Sequence, residues 1–192
     1  MSLVNPINFL TFEQFVKISE SIKDNTGHII ECSNGEILYF SPTAKHSVSI
    51  NNIIGILRNK LPNSCIAISE LHVKFTENEY RIPDISVFCG RDISEKYEND
   101  ILHLETPKLI FEVLSESTEK NDREHKMKLY ASTGIEEYLL VDYRNKTIEQ
   151  YYLDNNSYKL NKNYKNNDVC TLLLYPQVSF AVSDVFKIFM NE

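Results

Sequence analysis

Apolar residues recur along the chain with two different periods, and the changes of period mark out its elements. A helix is predicted from about Thr11 to Ile22, with Thr11 able to cap it and Gln14 placed to complete a capping box. Residues 28–40 read as a hairpin: Ile29-Ile30-Glu31-Cys32 leads into Ser33-Asn34-Gly35, and Glu36-Ile37-Leu38-Tyr39-Phe40 leads out. Asn-Gly is the strongest short-range hairpin signal. Ser41-Pro42 then opens a long helix, with proline in its first turn and an apolar stripe of Ile50, Ile53, Ile54, Leu57 and Leu61. Strands are expected near 65–75 and 80–89, followed by a charged loop at 90–106. Leu109-Ile110-Phe111-Glu112-Val113-Leu114 reads as a strand that is apolar apart from one carboxylate. A helix from about Glu119 to Ser132 ends at Gly134, a natural C-terminal cap. Tyr138-Leu139-Leu140-Val141-Asp142 is a further apolar strand, and strands near 147–153 and 169–174 close the sheet. Between these two, residues 155–167 read as a hairpin with a polar tip, and Ser183 is placed to cap a final short helix.

This order predicts an α/β fold over residues 1–192, one domain with a mixed β-sheet flanked by helices. No G-x-G-x-x-G follows a strand, and P-loop, H-E-x-x-H and G-x-S-x-G motifs are absent, which sets aside dinucleotide, nucleotide and serine-hydrolase chemistry. The net charge of −7 counts against a protein that coats nucleic acid with a broad basic surface. It leaves room for an acidic, cation-filled cleft. Cys32, Cys65, Cys89 and Cys170 form no C-x-x-C pair and are expected to be reduced thiols. No membrane span or signal peptide is evident, so a cytoplasmic location is expected.

Two carboxylates stand where charge is uncommon. Arg81-Ile82-Pro83-Asp84-Ile85 is a strand interrupted by Pro-Asp; the proline removes a ladder hydrogen bond and leaves Asp84 at an edge or bulge. Glu112 lies inside an apolar strand, where a carboxylate is rarely buried unless it is paired or binds a metal. If the two strands are neighbours, the carboxylates meet at one point and suit a hard cation such as Mg²⁺. Asp122, Lys126 and Tyr130 recur every four residues and share one helix face, from which Lys126 can reach that point. Each residue also has a plainer reading taken alone: a strand end for Asp84, a salt-bridged strand position for Glu112, a solvated helix surface for Lys126, local capping for His46, an exposed hairpin strand for Glu31, and core packing for Tyr130.

Taken together, Pro83-Asp84, Glu112-Val113-Leu114-Ser115, Asp122…Lys126…Tyr130, Gly134-Ile135-Glu136-Glu137-Tyr138 and Val141-Asp142 resemble the Uma-two family. This is a bacterial branch of the PD-(D/E)XK, or restriction-endonuclease-like, nucleases. Glu31…Asn34-Gly35-Glu36 and Ser41-Pro42…His46 match the same family's opening pattern, so the resemblance spans roughly residues 10–190. It implies a restriction-endonuclease-like core with Asp84 and Glu112 as metal ligands and Lys126 as the motif lysine. Glu31, His46 and Asp122 would be accessory residues at the site's border. Two positions depart from the pattern: Leu114 stands where the simple motif has its lysine, and Asn34 stands where the family has an acidic residue.

The function this implies is a Mg²⁺-dependent endonuclease, with Mn²⁺ as substitute, acting on double-stranded DNA as a homodimer. The alternatives are a catalytically inactive binding module that keeps the nuclease fold, and a metal-dependent hydrolase of small molecules, since carboxylates and a lysine do not by themselves specify phosphate esters. Whether the three side chains converge with room for a cation separates an active centre from an inactive one. The loop at 90–106 and the hairpin at 155–167 are the candidate DNA-contacting segments.

Overall fold

The computed structural model describes residues 11–188 apart from 27, 34, 35, 101, 102 and 104. The expected Asn34-Gly35 turn therefore lies outside the described residues. The strands on either side of it, β1 (Ile29–Ser33) and β2 (Glu36–Phe40), pair antiparallel in the register such a turn requires, with Ser33 opposite Glu36. Ahead of them, α1 spans Phe12–Thr26 and extends past the expected end at Ile22. Its capping box forms: the Gln14 amide donates to Thr11 Oγ1 at 3.3 Å, and the Thr11 amide donates to Gln14 Oε1 at 2.9 Å. α2 (Ala44–Lys60) starts later than Ser41-Pro42 suggests. Thr43 is the N-cap and accepts from the His46 amide, so Pro42 precedes the helix instead of sitting in its first turn.

The main sheet has six strands in the order β10-β9-β8-β7-β6-β3. They are β3 (Cys65–Ser69), β6 (Ile85–Cys89), β7 (Leu109–Val113), β8 (Glu137–Asp142), β9 (Thr147–Asp154) and β10 (Ser157–Lys165). β7 and β8 run parallel and the other pairs antiparallel, which makes the sheet mixed. A parallel pair needs a long crossover, and the helical segment after β7 provides it. On one face Ile85, Leu109, Phe111, Val113, Leu139 and Val141 pack against Ile50, Ile53, Ile56 and Leu57 of α2. Ile54 and Leu61, expected in the buried stripe, lie partly exposed at its margin. On the other face Ile110, Leu114, Tyr138 and Leu140 pack against Tyr130 and Ile135. The period of two along β7 places Glu112 on this second face, under the crossover helix.

A second sheet of four strands, ordered β2-β1-β5-β4, includes β4 (Val73–Thr76) and β5 (Glu79–Arg81). Each strand expected near 65–75 and 80–89 is thus divided between the two sheets. The second break falls at Ile82-Pro83-Asp84: proline ends β5 and the chain crosses into β6. The segment at 90–106, expected to be loop, contains a short helix, α3 (Ile93–Glu98).

At the C-terminal end three expectations are corrected. The second edge of the main sheet is β10, not a strand at 169–174. Asn155 and Asn156, with φ of 48° and 61°, form a two-residue turn between Asp154 and Ser157, and asparagine tolerates that left-handed geometry. β11 (Val169–Thr171) pairs only with β12 (Ser179–Ala181), in a separate ribbon that covers the α2 side of the core. The final turn, Val182–Phe186, is a 3₁₀ helix entered from Ala181, with no cap from Ser183. The four-thiol expectation also changes. Cys65 and Cys89 are register partners of β3 and β6, with Cα atoms 4.1 Å apart, and are joined by a disulfide; Cys32 and Cys170 remain buried thiols.

The crossover helix holds one further departure. Residues Asn121–Lys126 are π-helical and continue into α4 (Met127–Ser132). Such widened turns are uncommon and concentrate at functional sites. The Tyr138 hydroxyl donates to the Asp122 carbonyl at 3.1 Å, satisfying a backbone group inside the widened segment. At the far end Gly134, with φ of 85°, closes the helix as the sequence suggests. Its amide donates to the Ala131 carbonyl and the Ile135 amide to the Tyr130 carbonyl, the two bonds of a Schellman cap, and Ile135 packs on Tyr130.

Candidate active site

Asp84 and Glu112 meet because of strand register. Ile85 lies opposite Phe111 in the β6–β7 ladder, so the residue before Ile85 falls beside the residue after Phe111. The Val113 amide donates to Asp84 Oδ2 at 2.6 Å, and the Asp84 amide lies 3.4 Å from Glu112 Oε2. His46, in the first turn of α2, places Nε2 3.1 Å from the same Asp84 oxygen. On the opposite side the π-helical turn brings Lys126 Nζ to 3.0 Å from Glu112 Oε1 and 3.0 Å from Glu31 Oε1. Asp122 Oδ1 stands 3.3 Å from the same ammonium, a contact of charges without hydrogen-bond geometry. The Tyr130 hydroxyl donates to Glu112 Oε1 at 2.7 Å.

Glu31, His46, Asp84, Glu112, Asp122 and Lys126 all line one small cavity of about 40 Å³. That is room for about three waters or a cation with part of its hydration shell. The Asp84 side chain is 14% exposed and that of Glu112 only 2%, so Asp84 faces the mouth and Glu112 the floor. The sequence reading missed Arg81. It is fully buried, 3.6 Å from Glu31 Oε2 and hydrogen-bonded to Ser33 and Glu79. Its only signal in the sequence was a charged residue placed just ahead of the strand break. Thr118, which also lines the cavity and whose carbonyl accepts from the Asp122 amide at 2.9 Å, carried no signal.

The charges do not balance. Four carboxylates share this pocket with Lys126, with Arg81 behind Glu31 and His46 beside Asp84. Burial raises Glu112 well above the ordinary carboxyl range; Lys126 opposes the rise, and the charges of Asp84, Asp122 and Glu31 add to it. Asp122 is pushed up to about 6, again by burial first and against the pull of Lys126. Burial alone would lower Lys126, but Glu112, Glu31, Asp122 and Asp84 outweigh it and hold the ammonium well above the usual lysine range. His46 is likewise raised: burial works against its charge, and the hydrogen bond to Asp84 and that carboxylate's charge prevail.

An acidic excess of this kind suits an additional cation. Among the described residues no three His, Cys, Asp or Glu side chains are spaced to cage an ion by themselves. The donor set fits Mg²⁺ instead, which is commonly held by one or two carboxylates and keeps several waters. Asp84 and Glu112 are the carboxylates that meet at the cavity.

The raised acids set the pH response of the metal-free protein. A carboxyl whose folded pKa lies above its unfolded value contributes stability below that unfolded value and loses it as pH rises through the folded one. Asp122, displaced to about 6, should lose its contribution between about pH 4 and pH 7. The raised His46 acts in the same direction over the upper part of that range. In chelator, the melting temperature is expected to fall across this interval, and Asp122→Asn to flatten the fall by the equivalent of about 1–3 kcal/mol. A wild-type melting temperature that rises with pH over the same interval would contradict the assignment.

This combination, a six-stranded mixed sheet flanked by helices with an acidic cavity at a strand break, defines a restriction-endonuclease-like α/β fold. The chain belongs to the Uma2 family, whose model matches residues 12–183 and is described as "Putative restriction endonuclease". It is similar to an uncharacterized protein of Synechocystis sp., with 30% identity over 162 residues that cover 82% of this chain and 83% of the relative. Its fold is similar to that in the crystal structure of a "putative nuclease belonging to DUF820" from Anabaena variabilis, with a TM-score of 0.74 and 20% identity. That alignment covers 92% of this chain and 97% of the other. Among the described residues, no helix is long and apolar enough to cross a membrane.

Proposed function

We propose that this protein is a Mg²⁺-dependent endonuclease that hydrolyses DNA phosphodiester bonds. The observation that carries the reading is the convergence of Asp84, Glu112 and Lys126 at one cavity from three separate elements. The family's description and the nuclease name borne by the similar Anabaena protein point the same way. Asp84 and Glu112 would hold the cation, with Mn²⁺ as a substitute. When bound, it would polarise a phosphate oxygen and make a water a better nucleophile at neutral pH.

The chain's own groups have separable tasks. Lys126 stays an ammonium through neutral pH, so it serves as a fixed positive charge for the negative charge growing on phosphorus, and not as a base. Glu112 and Glu31 aim it, and the Tyr130 hydroxyl fixes Glu112 in turn. The Val113 amide and His46 fix Asp84. Water adds to phosphorus as one P–O ester bond breaks, leaving a phosphate monoester on one side and a hydroxyl on the other. Two such centres in a homodimer would let both strands of a duplex be cut in one encounter, and a homodimer is the working unit of this reading.

One observation favours a second reading, a binding module that keeps the fold without catalysis. Glu112 Oε1 already accepts from both Lys126 and Tyr130, an arrangement that can serve a purely structural ion pair. Incubation of supercoiled plasmid with Mg²⁺ or Mn²⁺ separates the two. Nicking or linearisation by wild type that stops with chelator and with Asp84→Asn is the expected outcome. No cleavage by folded wild type with either cation would move the assignment to the binding module.

A further inference from the structure

The acidic cavity is too small to seat a nucleotide, so a substrate strand has to be held beside it. A second groove opens next to it, of about 580 Å³, which lies within the roughly 300–1,000 Å³ of ordinary ligand sites. Phe40 lines both the groove and the acidic cavity, so the two are neighbours. The groove's chemistry is the reverse of its neighbour's: no carboxylate lines it, in a chain whose net charge is −7. Lys120 and His125 contribute cationic or proton-donating groups from the crossover helix, Ser117 a hydroxyl, and Asn121 an amide.

The Ser117 hydroxyl shares a hydrogen bond with Ser115 Oγ at 3.1 Å, and the other three groups are uncommitted. Asn121 Nδ2 is buried and has no hydrogen-bond partner among the described residues, although a buried donor normally has one. Among the same residues, Lys120 has no ion-pair partner and His125 no hydrogen bond. Tyr39, on the outer strand of the four-stranded sheet, is 63% exposed, with no ring of the described residues stacked on it. A flat aromatic ring beside a positive, donor-rich wall, open to solvent, complements a flat base carried on an anionic backbone.

We infer that this groove binds a single nucleic-acid strand next to the scissile phosphate, with a base stacked on Tyr39 and backbone phosphates contacted by Lys120. Neither the loop at 90–106 nor the hairpin at 155–167 lines it. The assignment rests on the nuclease reading for its substrate class, but it can be tested without any cleavage.

The test is fluorescence anisotropy in chelator with two fluorescein-labelled probes: a single-stranded oligothymidine of about eight nucleotides, within the site sizes of single-strand grooves, and an abasic backbone of equal length. Wild type is expected to bind the oligothymidine. Tyr39→Ala should weaken that binding about tenfold and leave the abasic probe unaffected. Lys120→Gln should weaken both probes and reduce the salt-dependence slope by about 0.7. Both residues are away from the Asp84–Glu112–Lys126 cluster, and melting curves confirm that the variants stay folded. Failure of wild type to bind, or variants that bind both probes as wild type does, would overturn the assignment. If those variants are unchanged while wild-type protein cuts plasmid, the groove assignment fails and the nuclease reading stands. If binding changes as described but no cation supports cleavage, the groove assignment stands and the hydrolytic reading fails.

Discussion

Replacing Glu112 by Gln is expected to lower phosphodiester cleavage by at least about a thousandfold while leaving the metal-free protein as stable as wild type or slightly more so. The two effects separate because they arise from different terms. The carboxylate is buried on the cavity floor with its pKa raised, so the folded protein without a cation gains little from keeping it ionised. Gln matches its volume and can still accept from Lys126 and Tyr130 through its carbonyl oxygen. What Gln lacks is the negative charge a divalent cation needs. Cleavage rates and chemical melts measured side by side check both halves. A variant that loses activity only in proportion to a loss of fold would show that Glu112 is structural.

Lys126→Met should produce the largest loss of stability of any single substitution at the site, about 3–5 kcal/mol at neutral pH. The reason is the charge balance: the ammonium stands 3.0 Å from Glu31, 3.0 Å from Glu112 and 3.3 Å from Asp122, all three nearly inaccessible to solvent. Removing it leaves buried carboxylates facing one another without a counter-charge, a far greater cost than the loss of an exposed pair. Acidification should recover part of the deficit, because protonating Glu112 and Asp122, both already raised by burial, removes the repulsion. Urea melts at about pH 5 and pH 7.5 check this, with the difference between variant and wild type smaller at the lower pH. A deficit below about 1 kcal/mol at both values would mean that the pocket is more hydrated than its geometry indicates.

Much of the site was legible in the sequence because its residues break local rules. Pro-Asp inside a strand and a glutamate inside an apolar strand are both unfavourable for folding alone, and in the structure they are neighbours by register. The four-residue spacing of Asp122, Lys126 and Tyr130 placed them on one face, and all three turn inward. The π-helical winding of that segment was hidden, because its residues carry no signal that separates a widened turn from an ordinary one. Arg81 was passed over for a similar reason: its partners Glu31, Ser33 and Glu79 come from another strand and from its own neighbour.

The second sheet was illegible on different grounds. Apolar patterning shows that 65–75 and 80–89 are extended, but not that each is shared between two sheets, since strand pairing depends on contacts distant in sequence. The Cys65–Cys89 disulfide follows from the same long-range register. Residues 155–167 read as a self-contained hairpin with a polar tip because their Lys and Asn residues look like a solvated segment, whereas Ser157–Lys165 form the single strand β10. Its Lys and Asn residues are the exposed positions of an edge strand, where charge discourages pairing with other chains. The groove of Tyr39, Lys120, Asn121 and His125 gave no signal at all, as each residue is ordinary surface until the fold sets the first hairpin beside the crossover helix.

The most direct measurement is a calorimetric titration of the metal-free protein with Mn²⁺ near neutral pH, on wild type and on Glu112→Gln, in two buffers of different ionisation enthalpy. A single saturable site is expected in wild type, with proton release as the cation displaces protons from the raised carboxyls, and the site should be lost in Glu112→Gln. Equal binding by the two proteins, or no binding by folded wild type, would contradict a cation held between Asp84 and Glu112.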